Sequence, residues 1–277
     1  MGEAPAPFSI KGEVSALRFF SIASGSKGNC ICIESGGNAV LIDAGVPSRR
    51  VAEILHNTGI APSAVKGVFI THEHSDHVKC LPYIVRAVKA PVFANMSTIN
   101  ALNMRASSDG CAFYELPTGR EADMGTLVLR SFRTSHDAAE SVGYVVSDGK
   151  TRLAVCTDTG RMTKEATEAI TGCKLVYIES NHDEEMLING PYPAYLKDRI
   201  LSSRGHLSNT ESACSCRVFA ESGAEHFVLA HLSEENNTPE LALSTVGGIL
   251  AAGGVRAGED CTLEAAGQYE PSKVYEI

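Results

Sequence analysis

Apolar residues along this 277-residue chain come in short runs rather than long ones. Residues 17–22, 30–34 and 39–43 read as strands separated by Gly, Ser and Asn turns. In "VPSRRVAEILHNTGI" the spacing of Val51, Ile54 and Leu55 after a Pro-Ser start predicts a helix with one apolar stripe. "KGVFIT" reads as a buried strand that runs straight into "HEHSDH"; "VKCLPYIVRAVK" then reads as helix, "APVFAN" as strand and "MSTINALNM" as helix. Strands are expected at 126–134, 142–147 and 151–157, the last ending at "CTDTG". Beyond them helix and strand alternate, with helices at 163–171, 208–222 and 238–251 and strands at 174–180, 226–230 and 260–264. Without internal repeats, low-complexity tracts or a Pro-rich linker, this predicts one mixed α/β domain over residues 16–277, its helices outside its sheets.

Composition narrows the class. The hydrophobic fraction of 44% and charged fraction of 21% are those of an ordinary globular chain. No window approaches the ~20 apolar residues of a membrane span. The first fifteen residues, "MGEAPAPFSIKGEVS", lack the basic start and apolar centre of a secretion signal and read as a flexible tail. The nine cysteines are odd in number, and their close pairs, Cys30 with Cys32 and Cys214 with Cys216, have C-x-C spacing rather than the C-x2-C of structural zinc sites. They read as reduced, small apolar groups in a cytoplasmic protein. The formal charge of -9 argues against a body that wraps duplex DNA with a basic face.

The chemistry begins at "THEHSDHVKC", where His72, His74, Asp76 and His77 fall within six positions directly after a buried strand. His72 and His74, two apart as they leave the strand, can converge on one metal ion, while Asp76 and His77, at a helix start, can address a second. A dinuclear centre needs further ligands from other strand ends. His136 in "RTSHDAAES", Asp158 in "AVCTDTG" and His231 in "VLAHLSEENN" each follow an expected strand. Any one of these histidines could be merely structural; their shared placement points to a common edge.

The motif H-x-H-x-D-H, standing here as His72, His74, Asp76 and His77, resembles that of the metallo-β-lactamase fold hydrolases. "SIASGSKGNCICIESGGNAVLIDAG", "ESNHDEEML", "RILSSRGHLSN" and "HLSEENNTPELA" further resemble the YycJ/VicX (WalJ) subgroup, over roughly residues 17–265. The resemblance implies a four-layer αββα sandwich with two divalent metal ions at one edge. By it His72, His74 and His136 hold the first ion, Asp76, His77 and His231 the second, and Asp158 bridges them. Asp43 in "LIDAG" would orient the cluster, or simply close a strand-end turn. Imidazole and carboxylate donors leave zinc, manganese and iron all open. Asp158 stands where β-lactamases of the fold carry a cysteine, and His74 where its di-iron oxygen reductases tend to carry a glutamate. Antibiotic hydrolysis and redox chemistry therefore recede.

The same resemblance implies a 5′-to-3′ exonuclease acting on DNA ends or single strands. The expected reaction is attack of a metal-bound hydroxide on a phosphodiester, with cations about 3.5–4 Å apart clamping its oxygens and Asp76 able to accept a proton. His206 in "GHLSN" resembles a histidine that tRNA-processing nucleases of the fold place near the leaving group, although Leu207 here interrupts their Gly-His-Ser segment. His182 in "SNHD" is a second candidate substrate contact, and Ser208 and Asn209 also make a good helix start. Ser24, Ser26 and Asn29 in "SGSKGN" could bind a terminal phosphate with their backbone amides, Lys27 adding charge, or could form a simple turn. Arg49, Arg50, Arg199 and Arg204 flank these loops. Only 72 residues lie between Asp158 and His231, too few for the inserted domain of larger nucleases of this fold, which favours short or single-stranded ends. The alternatives are a hydrolase of thioesters, lactones or cyclic phosphodiesters with the same ligands, and a non-catalytic scaffold, which would be expected to have lost ligands.

Overall fold

The computed structural model of the chain describes residues 16–104 and 110–277; the expected tail, residues 1–15, lies outside the described residues. The first half runs β1 (Arg18–Ala23), β2 (Cys30–Ser35), β3 (Asn38–Ile42), α1 (Ser48–Asn57), β4 (Val65–Phe69), α2 (Ser75–Val78), α3 (Leu81–Val88), β5 (Val92–Ala94), α4 (Met96–Met104) and β6 (Phe113–Glu115). The second runs β7 (Glu121–Asp123), β8 (Val128–Arg133), β9 (Val142–Ser147), β10 (Arg152–Cys156), α5 (Lys164–Ile170), β11 (Leu175–Glu179), α6 (Glu184–Asn189), α7 (Ala194–Leu201), α8 (Asn209–Glu221), β12 (His226–Ala230), α9 (Pro239–Ala252), β13 (Thr262–Ala265) and β14 (Tyr275–Glu276).

Each half builds one sheet. The first has order β14-β1-β2-β3-β4-β5-β6 and the second β13-β12-β11-β10-β9-β8-β7, with β14 returning from the C-terminal end to pair with β1. Both sheets begin as antiparallel meanders and turn parallel, at β3/β4 in one and at β10/β11 in the other. The parallel strands need crossovers, which the helices supply.

Most strands are buried on both faces, which is why they read as continuous apolar runs rather than alternations. In β2, Cys30 and Cys32 face the helical layer while Ile31 and Ile33 face the opposite sheet. In β12, Phe227 and Leu229 join the helices, and Val228 and Ala230 the centre. Three apolar layers result, one between the sheets and one under each group of helices, which is the expected αββα sandwich. The central layer holds the rings of Phe19 and Tyr177, centroids 5.5 Å apart. Each such ring removed from water contributes roughly 1.5–3 kcal/mol. Val51, Ile54 and Leu55 bury the stripe of α1 as its spacing predicts. Ser208 caps α8 in a reciprocal pair with Glu211, and Thr163 and Thr238 cap α5 and α9. No described helix is long and apolar enough to cross a membrane.

Strands β3, β4, β8, β10, β11 and β12 all deliver their C-terminal ends to the same edge of the sandwich. The loops that leave those ends carry the candidate chemistry.

Candidate metal centre

The loop after β4 and the start of α2 bring His72, His74, Asp76 and His77 to this edge; His136 follows β8, Asp158 follows β10 and His231 follows β12. Donor atoms of His72, His74 and His136 lie within 4.8 Å of one another, as do those of Asp76, His77 and His231. His136 Nε2 is 3.3 Å from His74 Nδ1. His77 Nε2 is 3.2 Å from Asp76 Oδ2, and His231 Nε2 is 3.4 Å from the same oxygen. Asp158 stands between the groups: Oδ1 lies 3.7 Å from both His136 Nε2 and His231 Nε2, and Oδ2 lies 3.3 Å from His77 Nε2.

Backbone conformation helps to place these groups. Among the described residues, four non-glycines have positive φ, and three of them, Asp43 (63°), Asp158 (58°) and His231 (55°), follow strands at this edge. Left-handed backbone at such residues costs free energy and persists where the surroundings enforce it, commonly at functional sites. Close approach does similar work at Gly45, where an added Cβ would sit 1.6 Å from the carbonyl oxygen of Asp76. That packing fixes the start of α2 against the loop after β3.

Hydrogen bonds away from the centre fix the histidine tautomers. His77 Nδ1 donates to Asp43 Oδ2 (2.7 Å), His136 Nδ1 to the Gly205 carbonyl (3.0 Å) and His231 Nδ1 to Glu179 Oε1 (2.9 Å). Thr71 Oγ1 donates to Asp43 and accepts from His72 Nδ1 at 3.0 Å. Each of these four rings thus turns a bare Nε2 lone pair inward, the arrangement that metal-binding histidines require. The buried atoms His72 Nε2 and Asp158 Oδ2 have no hydrogen-bond partner, as donors reserved for a cation would.

Electrostatics agree. Burial, reinforced by His77, His136 and His74, pushes His72 well below the ordinary histidine range. Burial also opposes a charged His77, but the carboxylates of Asp76, Asp158 and Asp43 outweigh it and raise that histidine. His231 is raised in the same way by Asp158, Asp76 and Glu179. Asp158, against the effect of its burial, is held low by His231, His77 and His136. The buried carboxylates call for positive charge among them, which divalent cations would supply. These clusters are suited to binding metal ions.

Glu179, the last residue of β11, was not among the residues expected from the sequence. It is fully buried and accepts four hydrogen bonds: His206 Nδ1 (2.7 Å) and His231 Nδ1 (2.9 Å) on Oε1, and the backbone N–H groups of Thr159 (3.0 Å) and Leu207 (3.3 Å) on Oε2. His206 and His231 hold its carboxyl well below the usual range although burial opposes this. The available signal was a carboxylate ending an apolar strand, "LVYIES", at the same edge as the ligands.

The remaining candidates occupy distinct places. His206 lies with its ring 5.0 Å from that of His136 and 5.3 Å from that of His231, and its side chain is partly exposed. His182 is buried, both ring nitrogens lack hydrogen-bond partners, and burial lowers it to about 4. Ser24 is buried and accepts the N–H of His231 at 2.8 Å; Ser26 is exposed. Asn29 is buried and reaches Asp76 Oδ2 (3.2 Å) and His77 Nε2 (3.1 Å). Asp43 also accepts the N–H of Thr71 at 2.9 Å. Of the flanking arginines, Arg199 pairs through two nitrogens with Asp137, and Arg204 donates to the His136 carbonyl, while Arg49 and Arg50 lie elsewhere, beside the "SGSKGN" loop.

Comparison with known proteins agrees with this architecture. Residues 38–232 match the family model described as "Beta-lactamase superfamily domain". The chain is 34% identical to the exodeoxyribonuclease YycJ of Bacillus anthracis over 259 residues, 93% of this chain and 98% of that one. It is 31% identical to the exodeoxyribonuclease WalJ of Streptococcus pneumoniae over 247 residues, covering 88% and 92%. Among solved structures, the metallo-β-lactamase fold protein YhfI of Bacillus subtilis superposes with a TM-score of 0.70 at 14% identity, covering 95% of this chain and all of that one, a likeness of fold.

Proposed function

The chain belongs to the metallo-β-lactamase superfamily, and from that premise we propose that it is a dinuclear metal-dependent exodeoxyribonuclease that degrades DNA from 5′ ends or as single strands. The observation that carries this is the pair of donor clusters sharing Asp158, with four imidazole tautomers fixed by outward hydrogen bonds. The nuclease identity is supported by the names of the two relatives that match nearly the whole chain.

His72, His74 and His136 would hold one ion and Asp76, His77 and His231 the other, with Asp158 between; this donor set suits zinc, manganese or iron. Two such ions supply Lewis acidity toward a phosphodiester and lower the pKa of a water molecule at the site. The protein's own groups do the rest. Asp43 and Glu179 keep the ligand imidazoles bare toward the centre. Asn29 steadies Asp76 through its side-chain amide and through its backbone N–H, which donates to the Asp76 carbonyl at 2.8 Å. His206, its Nδ1 committed to Glu179, presents Nε2 as the atom that exchanges a proton with the leaving oxygen. The cysteines, six of them buried, suit a reducing cytoplasm.

The test is a 5′-phosphorylated, 3′-labelled single-stranded DNA incubated with purified protein and manganese, zinc or iron, with Asp76→Ala in parallel. Products that shorten progressively from the unlabelled end, and only with wild type, are expected. An intact oligonucleotide with a protein that carries two metal ions would refute the nuclease assignment.

A further inference from the structure

Beside the metal centre lies a second site. A pocket of about 540 Å³ opens between the "SGSKGN" loop, the start of α1, the end of α2 and the segment before β14. Its volume is that of a small-molecule site. Four cations line it, Lys27, Arg49, Arg50 and Lys79, around a floor that includes Val46 and Tyr269. The lining carries one carboxylate, Glu53.

These cations are not neutralised in proportion. Lys27 is paired with Glu234 at 2.6 Å. Arg49, Arg50 and Lys79 have no acidic partner among the described residues. Arg50 donates to the carbonyls of Ile22 and Tyr269, and Lys79 to that of Lys27, so backbone acceptors hold two of the three heads in place without cancelling their charge. Such a concentration of positive charge on a chain of formal charge -9 calls for an anion. Tyr269, 53% exposed, offers an aromatic face to whatever the anion is attached to, and the buried Val46 lines the same pocket.

The pocket shares a wall with the metal centre. Gly28 lines it, and the next residue, Asn29, bonds Asp76. Lys79 follows α2, which carries Asp76 and His77. We infer that this pocket receives the nucleotide next to the scissile phosphate, its phosphate held by Arg49, Arg50 and Lys79 and its nucleoside against Tyr269 and Val46. The inference rests on the nuclease assignment for its substrate, and on the pocket alone for its ligand class, a nucleoside monophosphate.

The test uses the metal-loaded protein and two double variants. Arg49→Ala/Lys79→Ala removes two cations from the pocket. Lys66→Ala/Lys150→Ala removes the same charge at the opposite edge, where both residues precede or begin strands whose far ends deliver the ligands. On single-stranded DNA the pocket variant should raise KM about tenfold or more, with kcat within about twofold, as expected for lost charged contacts. Its salt dependence should shallow by up to about 0.7 in log–log slope, the value for the one single-strand phosphate these cations hold. The control should leave both unchanged. In parallel, calorimetric binding of deoxyadenosine 5′-monophosphate should weaken about tenfold in the pocket variant alone. Equal KM and equal nucleotide affinity in the two doubles would overturn the inference. If wild type leaves DNA intact but binds the mononucleotide in an Arg49- and Lys79-dependent way, the nuclease assignment falls and the pocket stands.

Discussion

Glu179→Gln isolates the role of one buried carboxylate without changing its shape. In the native structure Oε1 accepts from His206 and His231 and Oε2 from two backbone N–H groups, so all four partners are donors. A carboxamide has one acceptor oxygen and one donor nitrogen, and it can satisfy one pair only. If its oxygen faces the backbone, its NH2 faces both imidazoles. His231 can then keep a hydrogen bond only by moving its proton from Nδ1 to Nε2, the atom 3.4 Å from Asp76 that the centre needs bare. If the amide turns the other way, its NH2 meets the N–H groups of Thr159 and Leu207. Two buried donors are then left unsatisfied, at about 1–3 kcal/mol each.

The first orientation predicts a loss of metal affinity of about 10–100-fold, the usual effect of removing a partner that orients a ligand. The second predicts a stability loss of about 2–6 kcal/mol, the sum over two donors. Metal affinity is read by competition with a chelator of known affinity, metal content by elemental analysis, and stability by urea unfolding of the metal-free protein. One of the two losses must occur. A variant that keeps wild-type affinity for both ions and wild-type stability would refute the tautomer reasoning, including the role given to His206.

Asp43→Asn should weaken metal binding by a similar 10–100-fold, because the amide cannot accept from both Thr71 and His77; asparagine tolerates the φ of 63° at this position, so the backbone is kept and a titration reads the lost acceptor directly. Gly45→Ala should destabilise by more than about 4 kcal/mol or prevent soluble expression, since its Cβ would overlap the Asp76 carbonyl; a melting temperature within a degree or two of wild type would show that the loop after β3 yields easily. His182 supplies a pH dependence. Burial lowers it from 6.5 to about 4, so the unfolded chain takes up its proton first, and stability is present above the unfolded value and lost as pH falls from about 6.5 toward 4. Its part is about 3 kcal/mol, from about 2.5 pH units at 1.36 kcal/mol each. Urea titrations of metal-free wild type and His182→Gln at pH 7 and pH 4 should therefore differ in their pH-induced losses by about that amount, and equal losses would mean that His182 finds a proton acceptor when folded.

Much of the architecture was legible because the strands that build it are buried on both faces and read as apolar runs. The positions of the candidate ligands were legible for a related reason: a histidine or aspartate within a few residues of the end of such a run is held at a sheet edge. Glu179 escaped because it belongs to the strand itself, not to a loop that leaves it, and its hydrogen bonds to His206 and His231 have no signature in the sequence. Strands β6, β7 and β14, two or three residues each, are too short to show a period. Helices α6 and α7 bury Leu187 and Ile200 respectively, so no apolar stripe announces them. The left-handed backbone at Asp43, Asp158 and His231 falls on residue types that tolerate it, but nothing in the sequence marks which aspartate or histidine adopts it, since its surroundings enforce it.

The charge of the chain and its proposed polyanionic substrate are reconciled by where the charge lies. Net charge governs long-range attraction, which is screened beyond about 8–10 Å at moderate salt, whereas recognition happens inside that distance. Two divalent cations, four positive charges, would bring the formal -9 to -5, and all four would sit at one edge of the sandwich. The three unneutralised cations of the neighbouring pocket line it together with Gly28, whose chain neighbour Asn29 bonds Asp76. Arg199 and Arg204, by contrast, are spent on Asp137 and on the His136 carbonyl, so arginines that look available in the sequence serve the ligand loops instead. An acidic body with this cluster of unneutralised positive charge at one edge repels a duplex laid along its surface and accepts a strand brought in locally. That is the electrostatic form expected of an enzyme that works on ends.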